Sequence, residues 1–280
     1  MPPLMRLEIV FHSYPGLTPR ANFIPPRCGY FRRESPAMHE NSAATSVQHL
    51  LFLFLLVVAP IWDFYDTSRL KKNPGSPQKI RYYKTLTAWL WISSILALLA
   101  VGWRPLLTIG PAPSEIPWLL EHVWVFYLVE VVISLFVALM LLPLAVVFWK
   151  KVKKQPRKYS SADAFKALSY FLPARWTERR WFAFLCVTAG ICEEILFRGF
   201  LLHYLHVFPW TLNLTLALLI AALIFGLQHL YQGAGGAAST VVIGLLFSLL
   251  FLLTGNLLLP MILHAVMDLR MLVILRPPVE

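Results

Sequence analysis

Charged residues are scarce in this chain. They make up 14% of its 280 residues, whereas a soluble domain usually carries about 25%. Hydrophobic residues reach 58% and the mean hydropathy is +0.63. This composition argues against a water-soluble globule, and it excludes a disordered chain, which needs low hydrophobicity and high charge. The three cysteines, Cys28, Cys186 and Cys192, are too few for a disulfide scaffold.

Acidic residues are the scarcest charged class. Fourteen Asp and Glu stand against 25 Lys and Arg, which gives a net charge of +11. In a soluble protein this excess would suggest nucleic-acid binding. Here sixteen of the basic residues fall in two segments, 63–85 and 150–180, and the segment 104–122 between them has one. Since cytoplasmic loops of membrane proteins collect Lys and Arg, the charge indicates topology and no nucleic-acid partner.

Long apolar runs dominate the rest of the sequence. A membrane-spanning helix needs about 20 mostly apolar residues, and continuous rather than alternating runs favour helices over a barrel. Seven runs qualify: 47–62, 86–103, 123–149, 181–205, 212–231, 237–254 and 257–275. The sequence therefore predicts an all-α, multi-pass transmembrane helical bundle of about seven spans. With both basic loops inside, the C-terminus is predicted to be cytoplasmic.

Three regions are predicted along the chain. Residues 1–46 are a polar, proline-broken extension, and either 1–37 are disordered or translation begins at Met38. Residues 47–158 hold three transmembrane helices and a basic cytoplasmic loop. Residues 159–280 hold an amphipathic segment and a four-helix catalytic core. The stretch 159–180 predicts an amphipathic helix on the inner membrane surface, with a solvated loop as the alternative.

Ionisable side chains interrupt three of the last four apolar runs, where charge is costly and usually faces a bundle interior or a water-filled cavity. The residues concerned are Glu193, Glu194, Arg198, His229, His264 and Asp268. Spacing of four predicts that Glu194 pairs with Arg198, and that His264 and Asp268 share one helix face. Glu193 is rotated by about 100° from Glu194 and is therefore a candidate general base.

These residues have two possible explanations. They could form a buried polar network that fixes helix register. Polar contacts between membrane helices average only about 0.6 kcal/mol, however, which is a small return for so much desolvation. The pattern therefore favours a functional site.

Three ordered motifs carry a family resemblance. Glu193-Glu194-xxx-Arg198, Phe225-xxx-His229 and His264-xxx-Asp268 resemble the motifs of the CAAX-protease and bacteriocin-processing (CPBP, or Abi) family. This family of intramembrane glutamic endopeptidases includes the type II CAAX prenyl endopeptidase. The resemblance covers about residues 180–275, and the first three spans carry no matching motif.

The resemblance implies a role for each motif residue. Glu193, helped by His264, would activate a water that attacks a peptide carbonyl. His229 and Asp268 would stabilise the oxyanion, while Glu194 and Arg198 would support the site. A carboxylate cannot donate a hydrogen bond unless it is protonated. Asp268 is therefore either neutral or serves to orient His264.

The family resemblance also leads to expectations about the cofactor, the substrate and the location of the protein. The resemblance implies a metal-free site, with zinc as the alternative because two histidines and a glutamate could ligate it. The expected partners are membrane lipid and a membrane-associated or lipid-modified peptide or protein, and the expected location is a bacterial plasma (inner) membrane. Two other functions stay open: a non-catalytic immunity or scaffold protein, and a proton-coupled transporter.

Overall fold

The computed structural model describes residues 42–107, 123–153 and 168–274. Residues 1–41 of the predicted N-terminal extension, with Met38 as the alternative start, lie outside these residues, whereas residues 42–46 belong to the first helix.

Seven long helices make up the described part of the chain, which contains no strand. Their bounds are α1 Ser42–Lys72, α2 Ser76–Val101, α3 Val123–Val152, α4 Trp176–Glu194 extended through Ile195–Leu201 and Leu202–His206, α5 Leu214–Leu227, α6 Ala234–Thr254 and α7 Leu258–Ile274. A short helix, Trp103–Leu107, follows α2. The all-α bundle predicted from the apolar runs is confirmed.

Two of these helices contain a wider π-helical segment. It covers Phe54–Val58 in α1 and Ile195–Leu201 in α4. Segments of this kind occur frequently at functional sites. The one in α4 begins directly after Glu194, so the helix changes its winding at the first motif.

Four helices are long and apolar enough to cross a membrane: Ser42–Lys72, Ser76–Val101, Tyr127–Lys150 and Ala234–Thr254. Of the other predicted spans, α5 has 14 residues, α7 has 17, and α4 contains charged residues near both ends of its first segment. The surface of α3 exposes apolar side chains such as Leu135, Leu139 and Phe148, as a lipid-facing helix does. The protein is an integral membrane helical bundle.

Close helix packing positions the C-terminal region. Helix α4 packs against both α2 and α7, and α5 packs against α6. A Cβ added at Gly190 of α4 would lie 2.6 Å from the backbone nitrogen of Ala265 in α7. Small residues let membrane helices approach this closely. The backbones of α4 and α7 are therefore in direct contact one turn from Glu194.

The segment before α4 departs from expectation. The surface helix predicted over 159–180 is wrong for residues 168–175, which form turns, and residues 159–167 lie outside the described part. Lys79 Nζ donates to the carbonyls of Ser169 and Leu172 at 3.0 and 2.6 Å, and the Tyr83 hydroxyl donates to the carbonyl of Phe171. Side chains of α2 thus satisfy carbonyls that a helix would have used internally.

Candidate functional site

A buried charge network centres on Glu194, the last residue of the first α4 segment. Its Oε1 accepts from Arg198 Nη1 at 2.9 Å and lies 2.7 Å from His264 Nδ1. Glu194 and Arg198 are fully buried, and His264 is 3% exposed. One carboxylate oxygen therefore connects α4 to α7.

Arg198 has partners on two further helices. Its Nη2 donates to the Gly244 carbonyl of α6 at 3.2 Å. Its guanidinium carbon lies 4.5 Å from the ring centre of Phe225 in α5 and 5.5 Å from that of Phe247 in α6. Cations attract aromatic faces at these distances. Arg198 thus contacts side chains or backbone of three helices.

The partners of His264 define its tautomer. Arg198 is always charged and holds Glu194 as a carboxylate, which can only accept a hydrogen bond. His264 Nδ1 must therefore carry the proton and donate to Glu194. Its other nitrogen, Nε2, lies 3.8 Å from Glu193 Oε2 and 3.8 Å from Asp268 Oδ2. In the neutral ring this nitrogen is an acceptor that faces both carboxylates.

Glu193 differs from its neighbour in what it contacts. Its Oε2 atom is buried and has no hydrogen-bond partner in the protein, and neither has Glu194 Oε2. The Glu193 side chain is 15% exposed and lines a cavity of about 90 Å³. An unpartnered buried carboxylate oxygen is costly unless a water or ligand binds it. Of the two glutamates, Glu193 is the one open to a small molecule.

His229 lies just beyond the end of α5 and lines the same cavity. Its Nδ1 donates to the Phe225 carbonyl at 2.9 Å, because a carbonyl can only accept. The Phe225 ring lies 4.8 Å from the His229 ring and 6.2 Å from the His264 ring, centre to centre. Phe225 thus packs between the two histidines, and His229 has only Nε2 left for a ligand.

The N-terminal helices supply the opposite wall of the cavity. The lining includes Trp62 and Asp63 from α1 and Tyr82 and Trp89 from α2. In addition, the Gln228 amide beside His229 donates to the carbonyl of Leu55, within the π segment of α1. Sequence reasoning missed this wall because α1 and α2 carry no recognised motif. The available signal in the sequence was Asp63, a carboxylate directly after the first apolar run.

The structure brings most of the predicted residues together. Glu193, Glu194, Arg198, His264 and Asp268 form one group, and His229 joins it through Phe225 and the shared cavity. The predicted pairing of Glu194 with Arg198 is present. The hydrogen bond from His264 to Glu194 was not predicted, because helix spacing relates residues of one helix only.

The site residues were also compared with the requirements of a metal site. In the described ranges, no group of three or more His, Cys, Asp and Glu side chains has an arrangement that could hold a metal ion. The expectation of a metal-free site stays a prediction.

Residues 175–270 match the family model described as "Type II CAAX prenyl endopeptidase Rce1-like". The match covers nearly all of α4–α7 and leaves α1–α3 outside. No curated protein and no solved structure matches the chain. Residues 175–270 are therefore similar to an Rce1-like domain, and this likeness is consistent with the CPBP resemblance carried by the three motifs.

Proposed function

We propose that the protein is an intramembrane glutamic endopeptidase that uses a water activated by Glu193 and His264. The observation that carries the proposal is the pair of atoms Glu193 Oε2 and His264 Nε2, 3.8 Å apart with Glu193 beside a cavity. A water placed beside both atoms could hydrogen-bond to each at about 2.8 Å. The Rce1-like match over this segment supports the same activity.

The proposed attack needs one base and one orienting group. The water transfers a proton to Glu193 while its oxygen bonds to the peptide carbonyl carbon. His264 Nε2 accepts the water's other hydrogen and sets its direction, and Glu194 holds the imidazole by the hydrogen bond at Nδ1. When the C–N bond breaks, the proton on Glu193 passes to the leaving nitrogen. Glu193 thus ends as a carboxylate again.

The oxyanion role depends on protonation. Because Nδ1 of His229 donates to Phe225, Nε2 can donate to an oxyanion only when the ring is an imidazolium. Asp268 needs a proton for the same role, and its Oδ2 is too far from His264 Nε2, at 3.8 Å, for a hydrogen bond. We assign the oxyanion to His229 first and to protonated Asp268 second.

The proposed substrate is a membrane-associated peptide or protein, either a lipid-modified CAAX-like tail or a leader peptide. We propose a bacterial plasma (inner) membrane as the location. The proposed orientation has the C-terminus in the cytoplasm, because both basic segments then lie inside. The proposed chemistry uses neither metal nor other cofactor, and it has no place for nucleic acid.

The test is a comparison of Glu193→Gln with the wild type. Gln keeps the shape but removes the base, so cleavage should fall by about 10²- to 10⁴-fold. Peptides released from membranes of cells that express each form are compared by mass spectrometry, and a fluorogenic farnesylated CAAX peptide is assayed with purified protein. Glu130→Gln is the matched control, because Glu130 is exposed on α3. Full activity of Glu193→Gln would exclude the mechanism.

A specific observation favours a second candidate. The Glu194–Arg198–His264 network links α4 to α6 and α7 without any ligand, as a non-catalytic scaffold would require. Cellular function that survives Glu193→Gln but not Arg198→Met would support the scaffold.

A further inference from the structure

The cavity beside Glu193 has an unusual charge balance. Two carboxylates line it, Glu193 of α4 and Asp63 of α1, and no lysine or arginine is among its described lining residues. A carboxylate away from water is costly without a counter-charge. The opposite wall therefore lacks the positive partner that Glu194 finds in Arg198.

Asp63 is held in place by its neighbours. The Tyr82 hydroxyl of α2 donates to Asp63 Oδ1. Beside it, Trp62 and Trp89 meet edge to face with ring centres 5.5 Å apart, and Phe54 lies 5.6 Å from Trp89. All of these side chains line the cavity. A fixed carboxylate surrounded by aromatic rings is suited to a cation, since both attract positive charge.

We infer that Asp63 determines specificity by binding the cationic side chain of a substrate lysine or arginine close to the scissile bond. The inference rests on the proposed peptidase function, because it places a substrate residue in the cavity that Glu193 lines. The aromatic wall packs against the methylenes of the bound side chain, and the charge reaches the Asp63–Tyr82 pair. The substrate thus supplies a counter-charge to Asp63, whose hydrogen-bond donor Tyr82 is neutral.

The same charges exclude a competing occupant. A free C-terminal carboxylate in this cavity would face Asp63 and Glu193, and like charges close together cost several kcal/mol in a desolvated interface. The substrate therefore has a lysine or arginine directly before or after the cleaved bond, and its side chain occupies this cavity. The C-terminal carboxylate of the substrate lies outside the cavity.

The experiment measures selectivity between lysine and norleucine, which has a similar apolar length and no charge. Short fluorogenic peptides, with and without a farnesyl group, carry one or the other at each position around the cleavage site. At one position, wild-type kcat/KM for the lysine peptide should exceed that for the norleucine peptide by about tenfold or more. Asp63→Asn should bring this ratio to about 1, and Asp63→Glu should restore part of it.

Asp66→Asn is the matched control, because Asp66 lies on the same helix and does not line the cavity. It should leave the ratio unchanged. Equal kcat/KM for the two peptides at every position in the wild type would overturn the inference and leave the peptidase function intact. If no peptide is cleaved by the wild type faster than by Glu193→Gln, both the inference and the proposed function fail. The comparison of lysine and norleucine peptides with the wild type tests the inference even if Asp63→Asn does not fold.

Discussion

The two walls of the cavity are built in different ways. Helices α4–α7 pair their buried charges with one another, so that Glu194 binds both Arg198 and His264. Helices α1 and α2 contribute an aromatic wall with one carboxylate, Asp63, whose hydrogen-bond donor is the neutral Tyr82. The first wall carries its own positive partner, Arg198, whereas the second wall lacks one among its described lining residues.

This difference separates chemistry from selection. The wall built by α4–α7 holds His264 in place through its hydrogen bond to Glu194. A catalytic site requires reactive groups in such fixed positions. The wall that contains Asp63 is the one that we infer to bind the positive charge of a substrate side chain. The family match covers the first wall and leaves out the second.

The largest effect is expected from Arg198→Met. It leaves the buried Glu194 carboxylate without its cationic partner and with His264 Nδ1 as the remaining donor, and breaking a buried pair in this way costs about 3–5 kcal/mol. Lys79→Met is the comparison on the α2 side, where Lys79 Nζ lies 4.0 Å from Glu178 Oε2. Its carbonyl partners at Ser169 and Leu172 would lose a donor, but it should cost less because Glu178 keeps the Ala174 and Arg175 amides as donors. Unfolding in mixed detergent micelles measures both. Equal losses would contradict the contrast between the walls.

Gly190→Ala should produce the next largest effect. The new Cβ would meet Ala265 at 2.6–2.8 Å, and overpacking of this kind costs about 1–3 kcal/mol. It would also move His264 relative to Glu193, and a misplacement of about 1 Å can reduce the rate 10²-fold. Gly235→Ala has nothing within 4 Å and is the control. A kcat equal to the wild type would show that backbone contact does not position the site.

A smaller, pH-dependent effect is expected at Glu178, at the start of α4. Burial alone would raise the pKa of Glu178, but hydrogen bonds from Ser76 and the Ala174 amide and the charge of Lys79 lower it. A lowered pKa stabilises the fold above the carboxyl's unfolded pKa, and this stability is lost as the pH falls through the folded pKa.

Glu178→Gln should therefore lower the unfolding temperature at pH 7 and have less effect at acid pH. Thermal unfolding across this pH range, compared with Glu130→Gln, measures it. A destabilisation that stays constant down to acid pH would contradict the assignment.

The smallest effect is expected from Tyr170→Phe. The Tyr170 hydroxyl donates to the carbonyl of Tyr231, a cavity residue, at 3.2 Å. A single neutral hydrogen bond contributes about 0.5–1.5 kcal/mol. Stability should fall by this amount, and the Lys-to-norleucine selectivity should stay as in the wild type. A change in this selectivity would show that the turn before α4, which contains Tyr170, also contributes to substrate selection.

The sequence predicted the helices well, because apolar length alone defines them. It also selected the motif residues, since ionisable groups stand out in apolar runs. Two features could not be read from it. The His264–Glu194 hydrogen bond joins residues 70 positions apart, and helix periodicity relates only near neighbours. The inferred role of Asp63 depends on Asp63 and Glu193 lining one cavity, which no local pattern encodes.

The Glu194–Arg198 ion pair also bears on how the chain enters the membrane. Both residues belong to α4, four positions apart, so the pair can form in an isolated helix before α6 and α7 arrive. A segment that neutralises its own arginine costs less to transfer into lipid than one that exposes it. Arg198, which contacts α4, α5 and α6 in the folded protein, would thus first lower the cost of inserting α4.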